Sequence, residues 1–211
     1  MISSLAITIF SLVVLLFSVI IHELAHGWVA YSLGDPTAKY EGRLTLNPLK
    51  HLDMFGSIIL PVLLFLSGSP FLFGWAKPVP VNPYNFTDKK YGEIKVSIAG
   101  PASNFLLAIF FGLILRFIPQ DFILANPGVL IALTFIVSIN IWLAVFNLIP
   151  VPPLDGSWIL FSLLPAGWES VKNLFRQYGV VILVLLILFG GTLWFAIISV
   201  IFNLITGKLL T

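Results

Sequence analysis

His22, Glu23 and His26 stand together in "SVIIHELAHGWVAYSLG", residues 18–34, a stretch whose other residues are mostly apolar. Ionisable groups are costly to hold in hydrocarbon, and where they occur they mark function by default. On a helix, residues four apart are turned by about 40°, so His22 and His26 present two imidazoles from one face at a spacing that suits tetrahedral Zn2+. Glu23 lies about 100° from His22, beside such an ion. A carboxylate there can take a proton from a water whose pKa the metal lowers, then return it to a leaving amine. This is the H-E-x-x-H logic of metal-assisted peptide hydrolysis. The plainer alternative makes the histidines donors in helix–helix hydrogen bonds, and the cost of burying all three groups weighs against it.

Two histidines leave one catalytic ion short of a protein ligand, since such sites use three plus a water. The chain has no cysteine and its third histidine, His51, lies in a loop, so an acid must complete the set. Asp155 is the first candidate: it follows an apolar run, with Pro150, Pro152 and Pro153 breaking the helix before it and Gly156 permitting a tight turn. Its plain alternative is a cap for the following "SWILFSLL". Asp53 is the other candidate ligand.

The elements that must position these groups read as membrane spans. Apolar residues make up 59% of the 211 and charged residues 9%, and the mean hydropathy is +1.05. A soluble domain carries roughly 25% charged residues. The expected fold is an all-α polytopic membrane protein forming a single domain, 1–211. A net charge of +2 gives no argument for nucleic acid. The N-terminus lacks a basic segment and a small-residue cleavage site, so it reads as a retained span. Four spans are expected, about 4–33, 94–118, 128–154 and 179–206. The segment 54–68 is too short to cross and carries Pro61, so a re-entrant or interfacial helical segment is expected there.

Charge placement supports that count. With 54–68 not crossing and the N-terminus outside, Lys39, Arg43, Lys50, Lys77, Lys89, Lys90, Lys95, Lys172 and Arg176 face the cytoplasm, leaving Arg116 and Lys208 outside. If 54–68 crossed, six of these would move out and the bias would vanish. In the four-span arrangement His26 lies roughly 12 Å from the cytoplasmic surface, and Gly100, Pro101 and Asn104 roughly 9–15 Å from it. "NLIPVPPLDG", Asn147–Gly156, returns to the same side. Three polar clusters far apart in sequence are thus expected to meet at one depth.

"HELAH" in the first span, "GPASN" opening the third and "NLIPVPPLDG" closing the fourth resemble the site-2 protease family of intramembrane zinc metallopeptidases. The resemblance covers nearly the whole chain, in a minimal form without an inserted PDZ or an appended CBS domain. It implies that His22, His26 and Asp155 bind zinc, that Glu23 is the catalytic base, and that the first, third and fourth spans form the catalytic core. It also implies a single-span membrane protein as substrate, such as an anti-sigma factor or a membrane-bound transcription factor. The expected setting is the bacterial or archaeal cell membrane, with the active site open to the cytoplasm.

Asn147 and Asn104 are candidates to hold the substrate backbone or donate to the scissile carbonyl. Asn140 shares a face with Asn147 and reads as interhelical glue, worth roughly 1 kcal/mol in a membrane. Gly100 reads as a site of close helix packing. "TAKYEGRLTL", residues 37–46, alternates polar and apolar residues, and the prolines of "KPVPVNPYNF", residues 77–86, keep that segment extended. Together they predict a small cytoplasmic-side β element whose edge could hold an unwound substrate. "FGGTLW" marks a helix contact or bend. The competing function is a metal transporter or non-proteolytic metal-binding membrane protein. It would require further ionisable residues along the outer halves of the spans, where only Arg116 occurs.

Overall fold

A computed structural model of the chain describes residues 4–67 and 76–207. The elements in order are α1 (Ser4–Ser32), α2 (Thr37–Tyr40), α3 (Leu60–Leu66), α4 (Gly92–Phe117), α5 (Gln120–Ala125), α6 (Pro127–Asn147), α7 (Asp155–Leu163), α8 (Glu169–Phe189) and α9 (Gly191–Thr206). Helices α1, α4, α6 and α8 are each long and apolar enough to cross a membrane. Exposed Leu12, Leu106, Phe110 and Leu188 lie on them. In a bilayer such faces are solvated by lipid tails, so helix association depends on close packing and internal polar contacts.

Helix α4 is the centre of the bundle, packed on α1, α6, α7 and α9. Small residues let the backbones approach: Ala108 and Ala144 are fully buried, and a Cβ at Gly112 would stand 2.4 Å from Ile205 Cγ2. Leu115, Val137, Ile141 and Phe202 fill the junction of α4, α6 and α9. Arg116 donates to the carbonyls of Leu204 and Ile205, satisfying acceptors at the end of α9.

The last apolar run differs from expectation. Instead of one span over 179–206, α8 begins at Glu169 and the helix is interrupted at Gly190 before α9. The Trp194 indole N–H donates to the Leu186 carbonyl at 3.0 Å, and a Cβ at Gly190 would lie 2.3 Å from that carbonyl oxygen. The indole therefore competes for a helix acceptor, and only glycine fits beneath it. Likewise α6 stops at Asn147 rather than continuing to 154, because Pro150, Pro152 and Pro153 have no N–H to donate.

Met54–Ile59 forms a wide helical turn that runs into α3, which is seven residues long. This is too short to cross. Residue 68, the end of the expected segment, lies outside the described residues.

The expected β element is not formed among the described residues, where the one β contact is an isolated bridge between Leu52 and Ala76. Residues 37–40 are helical instead. The Asp35 carboxylate accepts from the N–H and hydroxyl of Thr37, which starts α2, and Gly42 at φ 63° turns the chain beyond it. The extended stretch Lys77–Val81 cannot build a ladder because Pro78 and Pro80 lack donors. Its N–H groups at Lys77 and Val79 go to the His51 carbonyl and the Glu23 carboxylate.

Two buried charges tie this stretch down. The Arg43 guanidinium donates to the carbonyls of Lys50, Lys77 and Pro78. Asp35 accepts from the Asn82 N–H at 2.7 Å and the Asn85 amide at 2.8 Å.

Candidate metal centre

His22 and His26 project from α1 towards α4, one turn apart as their spacing requires, and both are buried. Each ring is oriented by a hydrogen bond from Nδ1. His22 Nδ1–H donates to Asn104 Oδ1 at 2.6 Å, and His26 Nδ1–H donates to the Val96 carbonyl at 2.7 Å. That tautomer leaves both Nε2 lone pairs free, and they converge at 3.1 Å.

Asp155 reaches the same point from the start of α7. The proline-rich turn before it is held by Gly156, where a Cβ would meet the Leu148 carbonyl oxygen at 2.3 Å. Asp155 Oδ2 lies 3.0 Å from His22 Nε2 and 3.2 Å from His26 Nε2. Ligands held by a tetrahedral ion at about 2.0 Å are roughly 3.3 Å apart, so this triangle matches one face of such a site. Gly100 closes the far side: a Cβ there would stand 2.3 Å from His26 Nε2 and 2.5 Å from His22 Nε2. These two nitrogens and one carboxylate oxygen fit a borderline ion such as Zn2+.

Asn104 is fully buried and its amide serves the ligand, not the cavity. Its Nδ2 donates to Asn140 Oδ1 at 2.9 Å and to the Ser18 carbonyl, and Asn140 Nδ2 donates to Ser18 Oγ at 3.0 Å. Asn140 is thus one link of a relay that ends on His22, beyond mere glue. Ser18 was legible in principle, since 18, 22 and 26 form one stripe on α1. Asn147 lines the cavity, and its amide donates to the Leu143 carbonyl, leaving a second hydrogen for another acceptor. Asp53 caps the turn at Met54 by accepting from the Gly56 N–H, and the acid that meets both histidines is Asp155.

A cavity of about 500 Å³ opens over the triangle, lined among others by Glu23, Val79, Glu93, Asn147 and Trp158. Glu23 Oε2 accepts the Val79 N–H at 2.8 Å, so the extended segment holds the carboxylate beside the ligand atoms. Val79 and Glu93 carry no signal in the motifs, because one acts through its backbone and the other is a lone acid in a helix's first turn.

Residues 117–189 match the family described as Peptidase family M50. The chain is 42% identical over 178 residues to YwhC of Bacillus subtilis (strain 168), covering 82% of this chain and 78% of that protein. It is 31% identical over 174 residues to Rip2 of Mycolicibacterium smegmatis, covering 82% of this chain and 64% of Rip2. To MJ0392 of Methanocaldococcus jannaschii it is 28% identical over 85% of this chain and 42% of that protein. The names of all three contain the words zinc metalloprotease. No solved structure matches the chain.

Proposed function

This chain belongs to peptidase family M50, and on that premise we propose that it is an intramembrane zinc endopeptidase cutting a single-span membrane protein near its cytoplasmic end. The observation that carries the reading is the triangle of His22, His26 and Asp155 in a cavity between candidate spans, with Glu23 at its edge. His22, His26 and Asp155 would hold the ion. When bound, it supplies Lewis acidity to water and to the scissile carbonyl. Glu23, aimed by the Val79 N–H, takes the proton of the attacking water and passes it to the leaving amine. The free hydrogen of the Asn147 amide donates to the substrate carbonyl as charge gathers on it.

Access follows from charge. Nine of the eleven Lys and Arg residues fall on one side of a four-span arrangement, which supports a cytoplasmic opening in a cell membrane. The segment 54–66 is too short to cross and fits a re-entrant or interfacial position.

Glu23→Gln should keep zinc at wild-type stoichiometry and lose cleavage by at least about 100-fold, the scale of general-base catalysis. The measurement is metal analysis of the purified variant beside cleavage of a membrane-anchored substrate in proteoliposomes. Wild-type cleavage by Glu23→Gln would overturn the assignment.

A further inference from the structure

Among the described residues, Glu93 is the one acid lining the cavity that neither the metal triangle nor the proton transfer uses. It stands seven residues before Gly100 on α4. Seven residues are two helical turns, so Glu93 shares the face that meets the imidazoles and lies roughly 10 Å from them along the axis. Val96 and Ser97 line the cavity between the two levels. Helix α7 forms a second wall: Asp155, Trp158 and Ser162, spaced at i, i+3 and i+7, share one of its faces. The walls are pinned at the far end, where the Ser162 hydroxyl donates to Glu93 Oε2 at 3.1 Å.

Among the described residues no Lys or Arg lines the cavity, and Lys95, two residues beyond Glu93, is paired with Asp88 Oδ2 at 2.7 Å. One hydroxyl serves one of about four acceptor sites on a carboxylate. An acid in the first turn favours the helix dipole, which accounts for its residue type but not for its place at the end of a groove with an exposed tryptophan. A carboxylate and an indole lining one groove suit a cationic side chain, through charge and cation–π attraction. An extended peptide advances about 3.3 Å per residue, so roughly three residues separate the metal triangle from Glu93.

We propose that Glu93 and Trp158 form a subsite for a lysine or arginine side chain of the substrate, about three residues from the scissile bond. The proposal rests on the peptidase reading of the same cavity. The flanks of membrane spans on the cytoplasmic side are rich in Lys and Arg, so substrates entering from that side carry the matching group. The subsite would then set where along an unwound segment the cut falls.

The experiment uses the full-length, zinc-loaded protein and a series of anchored substrates. Each carries one Lys, Gln or Glu at the third residue before or after the cleaved bond. In wild type, Lys at one of these positions should raise kcat/KM about five- to tenfold over Gln, through KM, and the preference should shrink as salt is added. Glu93→Gln should bring the Lys-to-Gln ratio close to one, and Glu93→Lys should favour the Glu substrate. Equal cleavage of the Lys and Gln substrates by wild type, or a Lys preference that survives Glu93→Gln, overturns the subsite while leaving the peptidase intact. If wild type cleaves none of the series, the peptidase reading itself falls and takes the subsite with it. Should the variants misfold, the wild-type substrate scan by itself still separates a Lys preference from its absence.

Discussion

At Gly100 the α-carbon faces both imidazoles, and the space a methyl would take is the space the ligand nitrogens occupy. Gly100→Ala should therefore lower zinc affinity at least about tenfold while the helix, which gains a better helix former, stays intact. Zinc retained after dialysis against graded chelator, beside an unchanged helical circular dichroism signal, is the check. Wild-type retention would mean that the imidazoles can step aside. Asn104 acts one bond further out. Asn104→Ala removes the acceptor that fixes the His22 tautomer and should cost about 10- to 100-fold in zinc affinity. If Asn104 instead contacted substrate alone, metal retention would be unchanged and only KM would rise.

The elements around the site are held by a few buried polar anchors, not by a sheet. Burial pushes the Asp35 carboxyl up, but hydrogen bonds from the Asn82 N–H, the Thr37 hydroxyl, the Asn85 amide and the Thr37 N–H outweigh it and hold the group below its ordinary value. A depressed folded-state value stabilises fully above the unfolded value, about 3.9, and that stabilisation is lost as pH falls through the lower folded value. Asp35→Asn should thus cost about 2 kcal/mol at neutral pH, and its deficit should narrow below about pH 4. Thermal unfolding of both proteins across that range checks this, and a deficit independent of pH would contradict it. Because Asp35 and Arg43 fasten the two ends of the segment that carries Val79, loosening either one should also let Glu23 drift from the metal triangle.

For the whole molecule, antiparallel α1 and α4 bring His26 level with Val96, and α6 returns alongside to deliver the turn before Asp155. The proposed topology puts the ends of α1, α4 and α6 that surround the cavity on one side of the membrane. Single cysteines in place of Glu41 and Lys90 should therefore react with an impermeant reagent from the cytoplasmic side, and one in place of Asn126 from the other. Labelling of the first two from opposite sides would mean that the intervening segment crosses. Swapped labelling of all three would invert the protein and remove the proposed cytoplasmic entry.

The spacing of His22, Glu23 and His26, the apolar runs and the proline-rich turn before Asp155 were readable from the chain. Each is local: a four-residue repeat faces one way on any helix, a long apolar run has one favourable solvent, and proline ends a helix wherever it stands. By itself the sequence determined four candidate spans, an H-E-x-x-H face and a short set of acids able to complete it. The tertiary structure decided which acid meets the histidines, because that depends on how closely α4 and the turn at Gly156 approach α1. It also decided that Lys77–Val81 holds Glu23 with a backbone N–H instead of pairing in a sheet, that Asn140 reaches His22 through Asn104, and that Trp194 breaks the last apolar run. Those outcomes rest on contacts between residues far apart in the chain and on single hydrogen bonds that no periodicity encodes. Residue type names a donor or an acceptor, and only packing chooses its partner.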